Sequence, residues 1–298
     1  MVPFDRACRE LVEGLRVSSS SEGLPPALGR AEFLREWHAR YPGRASAIFW
    51  YDSVEDDGRS SYALLVDDVA TLPEVNAVVD LACGDGYLLA QLARRFPGAQ
   101  LIGVDMSAEE LELARRRALG ENVRLVAARA EAIPLADASA DAVVCHMALM
   151  LFDDAPAVVR EVARILRPGG IFAAALGPAP GHSELVKGFG ALLREAETRE
   201  SLPRLQVGDP ATFAQDSLLD LFTSNTWSAR AEELRLRFDG TDEHVLEVLL
   251  GMYDVARLSE SGQAELAARL RTELLERRKA GESAECVLGL RHLVALRQ

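Results

Sequence analysis

The chain has 298 residues, of which 49% are hydrophobic and 27% charged, and its formal net charge is -13. This composition can fill a core and excludes a disordered or fibrous protein. The negative charge repels phosphate backbones and anionic membrane surfaces, so we expect no nucleic-acid or membrane partner and favour a small neutral or cationic substrate.

The four cysteines lie far apart, with no paired spacing. This arrangement predicts neither a zinc cluster nor a disulfide framework, and therefore no metal site. The first residues carry no export signal, and no apolar run reaches the roughly eighteen residues that cross a bilayer. We therefore expect a cytoplasmic protein, either a monomer or a homodimer.

Residues 1–72 are predicted to form an N-terminal helical lid or cap. Residues 4–17 have apolar side chains at helical spacing, a loop rich in Ser and Pro follows, and a further helix is predicted around Leu34. Aromatic side chains in this part are candidates for covering the substrate, although ordinary packing explains them equally well. The candidates are Trp50, Tyr51 and Tyr62.

Residues 73–298 are predicted to form an α/β core, because short β-branched runs alternate with helical ones, which is typical of a parallel sheet buried on both faces. Helices are predicted to begin near Gly86, Ser107 and Asp154. A last strand near the C-terminus is expected to close the sheet, in an antiparallel direction, at or near an edge.

The segment VVDLACGDGYLL places a buried strand directly before Gly84 and Gly86, and a helix after them. Small residues there let the backbone approach a ligand at the helix N-terminus. Asp80, at the end of the strand, repels a pyrophosphate but suits a ligand that bears an ammonium group. Asp105 ends the next strand, about twenty residues on, where a carboxylate can accept hydrogen bonds from both ribose hydroxyls.

These motifs, together with GVDMS at 103–107, AEAIPL at 130–135 and LRPGG at 166–170, resemble those of class I S-adenosylmethionine-dependent methyltransferases. The resemblance covers residues 73–177. It implies a Rossmann-like, doubly wound, seven-stranded, mostly parallel sheet and S-adenosylmethionine as the cofactor. Helical insertions at 178–227 and 240–282 are expected to cover the substrate.

The resemblance also implies roles for individual residues. Asp80 and the turn from Gly84 to Gly86 would hold the methionyl part of the cofactor, with Ala82 at the start of the turn and Cys145 nearby. Asp105 would hold the ribose. Met106 would lie on one adenine face, and Ala130 and Glu131 at the adenine edge. Two residues depart from the family pattern: Ala82 replaces a frequent glycine, and Arg129 replaces a frequent acid at the adenine site.

His146 ends the fourth predicted core strand and is the first candidate for a general base, because imidazole titrates near neutral pH. The alternative is that His146 only orders the cofactor or packs beneath the lid. His182, in the loop after the fifth core strand, is the second candidate. Cys145 is interpreted as a small buried residue rather than a nucleophile.

The sequence therefore favours O-methylation of a small hydroxylated acceptor, such as an enol, phenol or alcohol. By analogy with the family, that acceptor would be a polyketide or another secondary metabolite. C- or N-methylation, and a cofactor-binding protein that transfers no methyl group, stay open. An NAD-dependent oxidoreductase is disfavoured because the third glycine of its fingerprint is missing and because Asp80 faces the ligand.

Overall fold

The computed structural model describes residues 30–49, 52–54, 58–117, 119–205, 208–223, 226–238 and 241–298. The strands are β1 (Asp52–Val54), β2 (Ala77–Leu81), β3 (Gln100–Asp105), β4 (Val123–Ala127), β5 (Ala140–His146), β6 (Leu166–Leu176), β7 (Trp227–Phe238) and β8 (Cys286–Arg297). All eight belong to one sheet, in the order β1-β7-β8-β6-β5-β2-β3-β4. The predicted helix at 4–17 lies outside the described residues.

The sheet confirms the predicted Rossmann-like architecture. Strands β2 to β6 are parallel to one another, and β8 runs antiparallel to its two neighbours, β6 and β7. The last strand therefore lies inside the sheet, between β6 and β7. The short strand β1 pairs antiparallel with the end of β7 and adds an eighth strand to the predicted seven.

Helices cover both faces of the sheet. They are α1 (Arg30–Arg40), α2 (Arg44–Ile48), α3 (Ser61–Val69), α4 (Tyr87–Arg95), α5 (Ala108–Arg116), α6 (Ala155–Ile165), α7 (Glu184–Arg199), α8 (Gln215–Asp220), α9 (Asp242–Leu250) and α10 (Glu260–Ala280). Short 3₁₀ segments lie at Leu149–Leu151, Pro210–Thr212 and Tyr253–Arg257. Among the described residues, no helix combines the length and apolar character that a bilayer crossing needs.

Three predicted helix starts are confirmed, because Gly86, Ser107 and Asp154 are the N-caps of α4, α5 and α6. The side chains of Ser107 and Asp154 accept hydrogen bonds from backbone N–H groups in the first turn of their helices. This contact satisfies donors that a helix cannot pair internally.

Helix α7 lies within the helical insertion expected at 178–227, although the sequence pattern loosens after β6 and does not give the bounds of this helix. Its two glycines, Gly188 and Gly190, lower its helix propensity. The helix nevertheless buries a continuous apolar side that includes Leu185, Phe189 and Leu193. Tertiary packing therefore outweighs local propensity here.

Alternate residues of the central strands point to opposite faces and join two separate apolar clusters. Val78 and Val144 belong to one cluster, together with residues of α3 and α4. Val79 and Val143 belong to the other, together with residues of α6. The polar ends of β2, β3 and β5 are left as the part of the sheet where a ligand can be held.

Gly103, the glycine of β3, is closely packed by side chains. A Cβ atom added there would lie 2.5 Å from Leu89 Cδ1, and 2.9 Å from both Cys83 Sγ and Leu125 Cδ2. We expect Gly103→Ala to lower the free energy of unfolding by about 1 to 3 kcal/mol, because these side chains must shift. Gly98→Ala is the control, since no described residue other than its two chain neighbours lies within 4 Å of its added Cβ. Equal chemical-denaturation midpoints for the two variants would contradict this account.

Candidate cofactor and acceptor pocket

A pocket opens at the carboxyl ends of β2, β3 and β5. The strand order changes direction here, because β3 lies on one side of β2 and β5 lies on the other. Asp80, Asp105 and His146 line the pocket from these three strand ends. In an open α/β sheet, this change in strand order is the usual place for a ligand, because the loops diverge and leave a crevice. The position agrees with the site predicted from the sequence.

The glycine turn after β2 presents open backbone to this pocket at Gly84. Its φ is +52°, and the described atom nearest to an added Cβ, its chain neighbours aside, is Glu110 Oε2, at 3.8 Å. The Gly84 N–H donates to Asp105 Oδ2 at 2.9 Å. The turn and the end of β3 are thus held together, with the backbone of Gly84 accessible to a ligand.

Gly86 has a different role from the predicted one. It is not among the pocket-lining residues, and an added Cβ would lie 3.1 Å from Ala114 Cβ and 3.2 Å from Leu119 Cδ1. Its φ of +77° is in the left-handed region. Gly86 therefore lets α4 start and pack closely beside α5, and the ligand-facing part of the turn ends before it.

Asp80 is a buried acid at the end of β2. It is 1% exposed, it lines the pocket, and its Oδ2 has no hydrogen-bond partner among the described residues. Desolvation, together with the charges of Asp105 and Asp85, raises the pKa of Asp80 well above its usual value. A cationic donor placed beside Oδ2 would satisfy it, so the ammonium group of a methionyl ligand fits this position.

Asp105 is fixed by backbone donors from two directions. Its Oδ1 accepts from the Ser107 N–H at 2.8 Å, and its Oδ2 accepts from Gly84. A carboxylate has further lone pairs on each oxygen, so these bonds orient the group and leave capacity for two ribose hydroxyls. The residues present therefore fit the nucleoside part of S-adenosylmethionine.

The neighbouring wall contains the residues predicted at the adenine site. Met106 is 41% exposed, and it lines the pocket together with Ala130 and Glu131. Arg129, the departure from the family pattern, donates to Glu131 Oε1 at 3.0 Å. Glu131 therefore keeps a carboxylate in the pocket wall beside Arg129.

His146 lies in a stack of polar and aromatic groups at the other end of the pocket. Its Nε2 is 2.7 Å from Ser61 Oγ, and its ring stacks on Tyr62 with centroids 3.8 Å apart. Phe49 meets the imidazole edge-on at 5.2 Å. Desolvation lowers the pKa of His146 to about 3, so the ring is neutral at physiological pH and has little affinity for a proton.

Besides Gly86, two predicted site residues that the structure describes, Cys145 and His182, do not line this pocket. Cys145 is fully buried within β5, in the apolar cluster that contains α6, where desolvation raises the pKa of its thiol. His182 Nδ1 accepts from the Gly289 N–H at 3.0 Å, so its imidazole joins the loop after β6 to β8. Trp50 and Tyr51 lie outside the described residues.

The predicted insertions contribute unequally to the pocket wall. Tyr253, from the insertion at 240–282, lines the pocket. Among the described residues of the insertion at 178–227, none does. The N-terminal part contributes Leu34, Arg35 and His38 of α1, and Ser46 of α2.

Sequence reasoning missed two buried acids, Asp85 and Glu110, which are 3% and 2% exposed. Asp85 Oδ2 accepts from Ser46 Oγ at 2.7 Å and also from Arg117. Glu110 accepts from the backbone of Gly43 and from His38. The partners are far away in the chain, so no short motif could have indicated them.

Ala82 carries a strained backbone at the position where a glycine is frequent in the resembling family. Its φ is +57°, a conformation that costs most L-residues about 1 to 2 kcal/mol. We expect Ala82→Gly to raise the free energy of unfolding by about 0.5 to 1 kcal/mol after the entropy of the unfolded chain is included. Ala138→Gly, at a φ of +50°, is the matched control outside the pocket. Destabilisation by Ala82→Gly alone would show that the methyl group makes a contact outweighing the strain.

The low pKa of His146 predicts a specific loss of stability in acid. Its folded pKa of about 3 lies below the usual 6.5, so between these values only the unfolded chain binds the proton. The contribution of His146 to the free energy of unfolding is therefore complete above pH 6.5, and it is lost as the pH falls from 6.5 towards 3. Between about pH 7.5 and about pH 5, the wild type should lose about 2 kcal/mol more than His146→Gln in urea unfolding. Equal losses would mean that the ring is not desolvated.

Comparison with known proteins identifies the central part of the chain. Residues 79–174 match the Methyltransferase domain family. Over 98 residues the chain is 39% identical to a protein of Desulfotalea psychrophila named ubiquinone/menaquinone biosynthesis C-methyltransferase UbiE, a match covering 33% of the chain and 40% of that protein. Over 95 residues it is 40% identical to a malonyl-[acyl-carrier protein] O-methyltransferase of Hahella chejuensis, covering 31% and 33%.

The match thus spans less than half of the length of these curated relatives. A solved structure of a protein from an antibiotic biosynthesis pathway of Anabaena variabilis shares the fold, with a TM-score of 0.59 and 21% identity. It covers 79% of this chain and 97% of that one. The strand order, the acids at the ends of β2 and β3, and these matches agree: the chain contains a class I S-adenosylmethionine-dependent methyltransferase domain.

Proposed function

We propose that the protein transfers a methyl group from S-adenosylmethionine to an oxygen atom of a small hydroxylated molecule. The observation that carries this proposal is the pair of acids at the ends of β2 and β3. Asp80 is buried and one of its oxygens has no partner in the part of the chain that the structure describes, and Asp105 is oriented by two backbone N–H groups. One acid suits an ammonium group and the other suits two vicinal hydroxyls, and S-adenosylmethionine bears both.

The cofactor supplies an electrophilic methyl group on a sulfonium. In this proposal, Asp80 and the backbone at Ala82 and Gly84 hold the methionyl part, and Asp105 holds the ribose. Met106 covers an adenine face, and Ala130 and Glu131 meet its edge. Each of these side chains lines the pocket, which supports the assignment.

The protein's own task in such a transfer is to align the nucleophile with the methyl carbon and to exclude water. Tyr62 and His146 provide a flat, rigid platform at the acceptor end, and Ala148, Leu151 and Phe152 add apolar wall. We assign the N-terminal residues 1–72 the role of a cover, which the pocket-lining residues of α1 and α2 support. An apolar acceptor with a planar group suits this surface.

His146 is a poor general base because its pKa is lowered to about 3 and its Nε2 is engaged with Ser61. We therefore assign it to positioning the acceptor through its stack with Tyr62. A more acidic acceptor needs less help from a base. An enol therefore suits the site best, and a phenol, with a pKa of about 10, suits it better than an unactivated alcohol, which is far less acidic. A secondary metabolite of polyketide type carries such groups.

Methylation at an acidic carbon is the second candidate, because an acidic C–H compound forms its enolate without a strong base from the protein, and the enolate carbon can then attack the methyl group. The relative named as a C-methyltransferase supports it. The two outcomes differ only in which atom of the same anion faces the methyl carbon. In a cofactor-binding protein without transfer activity, Asp80 and Asp105 would still bind the cofactor, and the acceptor end of the pocket would have no role in catalysis.

Calorimetric titration tests the cofactor assignment. We expect the wild type to bind S-adenosylhomocysteine with micromolar affinity and to show no heat with NAD. Asp105→Ala should weaken binding at least about a hundredfold, because two charge-assisted hydrogen bonds are lost. Asp137→Ala, which removes an exposed carboxylate outside the pocket, is the control. Binding of NAD instead of S-adenosylhomocysteine would overturn the proposal.

Incubation with S-adenosylmethionine and three acceptors then tests the transfer. The acceptors are an enolised 1,3-diketone, a phenol and a primary alcohol, and mass spectrometry with NMR locates the new methyl group. Transfer to oxygen of the diketone or the phenol, with none to the alcohol, supports the first candidate. Transfer to the diketone carbon selects the second, and cofactor binding without any product across a wide acceptor panel points to a protein that does not transfer.

A further inference from the structure

The first helix is joined to a distant 3₁₀ segment by an apolar cluster. Phe33, Leu34 and Trp37 of α1 are buried together with Ala256, and Tyr253 packs against them. The Trp37 and Tyr253 rings have centroids 4.5 Å apart. Helix α1 and the segment Tyr253–Arg257 therefore form one unit at the mouth of the pocket.

This unit is attached to the core by a hydrogen-bond chain of Glu110, His38 and Tyr253, which we call the His38 chain. His38 Nδ1 is 2.8 Å from Glu110 Oε1, and His38 Nε2 is 3.2 Å from the Tyr253 hydroxyl. An ionised Glu110 can only accept, so Nδ1 donates to it. In the tautomer with its proton on Nδ1, Nε2 is the acceptor of the ring, and the Tyr253 hydroxyl can donate to it.

Burial makes the His38 chain costly to break. Glu110 is 2% exposed, and desolvation raises its pKa while the hydrogen bond from His38 lowers it. Desolvation likewise raises the pKa of Tyr253, which keeps its proton for donation. A buried polar group that loses its partner pays the full desolvation penalty, so each bond here is worth more than an exposed one.

Two further contacts hold the same part of the chain on the same acids. The Gly43 N–H donates to Glu110 Oε2 at 3.0 Å, and Ser46 Oγ donates to Asp85 Oδ2 at 2.7 Å. Gly43 has a φ of +74°, and an added Cβ would lie 3.1 Å from Leu113 Cδ1. The turn between α1 and α2 is therefore fitted closely against α5.

Every member of the His38 chain also lines the pocket that contains Asp80 and Asp105. One wall of that pocket is thus built from α1, α2 and the 3₁₀ segment, while the opposite wall is the edge of the sheet. A ligand enclosed between them dissociates more slowly when the contacts joining the two walls are intact, because these must break before the walls separate.

We propose that the His38 chain keeps α1 and α2 closed over the bound cofactor, and that His38 is a positioning residue for cofactor retention. This inference rests on the proposed function, because it takes the pocket as the S-adenosylmethionine site. It assigns Tyr253 and Glu110 a role in holding the cofactor without direct participation in methyl transfer.

The test measures release of S-adenosylhomocysteine from the full-length protein by surface plasmon resonance. Tyr253→Phe removes only the hydroxyl, and His38→Asn keeps a donor near Nδ1 but lacks Nε2. Both break the same bond, so each should speed dissociation by about three- to tenfold. The double variant should be no faster than the single ones, because the bond is already lost. Glu36→Ala, on the exposed side of α1, is the matched control and should release at the wild-type rate.

Thermal unfolding of the ligand-free variants is the folding control. Dissociation rates are compared only for variants whose midpoints are close to that of the wild type. If the wild type binds S-adenosylhomocysteine and both variants release it at the wild-type rate, the role of the His38 chain is overturned while the proposed function stands. Additive effects in the double variant would also overturn it, because they would mean that the two residues act separately. If the wild type does not bind at all, the proposed function fails and this inference fails with it.

Discussion

Four buried or nearly buried carboxylates at one edge of the sheet are the constraint on which the rest of the site depends. They are Asp80, Asp85, Asp105 and Glu110. Desolvation raises the pKa of Asp80 and of Glu110, and the nearby charges of Asp85 and Asp105 raise both further. A folded chain tolerates such a group of acids only if donors reach them. The backbone supplies some of these donors at strand and helix ends, where N–H groups are otherwise unpaired.

Donors from remote parts of the chain supply the others, which explains why the N-terminal helices lie where they do. Gly43 and His38 serve Glu110, while Ser46 and Arg117 serve Asp85. The wall that encloses the pocket is therefore also the partner of its acids. Asp80 keeps an oxygen without a partner among the described residues. In the proposed function, the ammonium group of the ligand donates to this oxygen.

Local patterns in the sequence were sufficient to predict the parallel strands β2 to β6 and the meeting of Asp80 and Asp105 at one end of the sheet. The β-branched runs identify buried parallel strands, and the order of strand, glycine turn, helix, strand and acid brings Asp80 and Asp105 to one edge. The extra strand β1 could not be predicted, since three residues carry no periodicity.

The other walls of the pocket depend on contacts that leave no local pattern. His38 meets Glu110 across 72 positions and Tyr253 across 215. The expectation that His182 reaches the pocket fails because the loop after β6 follows β8, where the Ala179 N–H donates to the Gly289 carbonyl. The basicity of His146 depends on how far its ring is desolvated, which spacing along the chain does not encode.

The short strand β1 has a consequence for self-association. It pairs with only Leu236 to Phe238, at the end of the twelve-residue strand β7. The rest of that outer edge has no strand beside it among the described residues. The unpaired N–H and C=O groups of an edge strand can pair with a strand of another chain. Arg230, Glu232 and Glu233 are exposed there, and joining two such edges would bury their charges. If two copies of the chain associate, we expect them to meet through another surface and to leave their sheets separate.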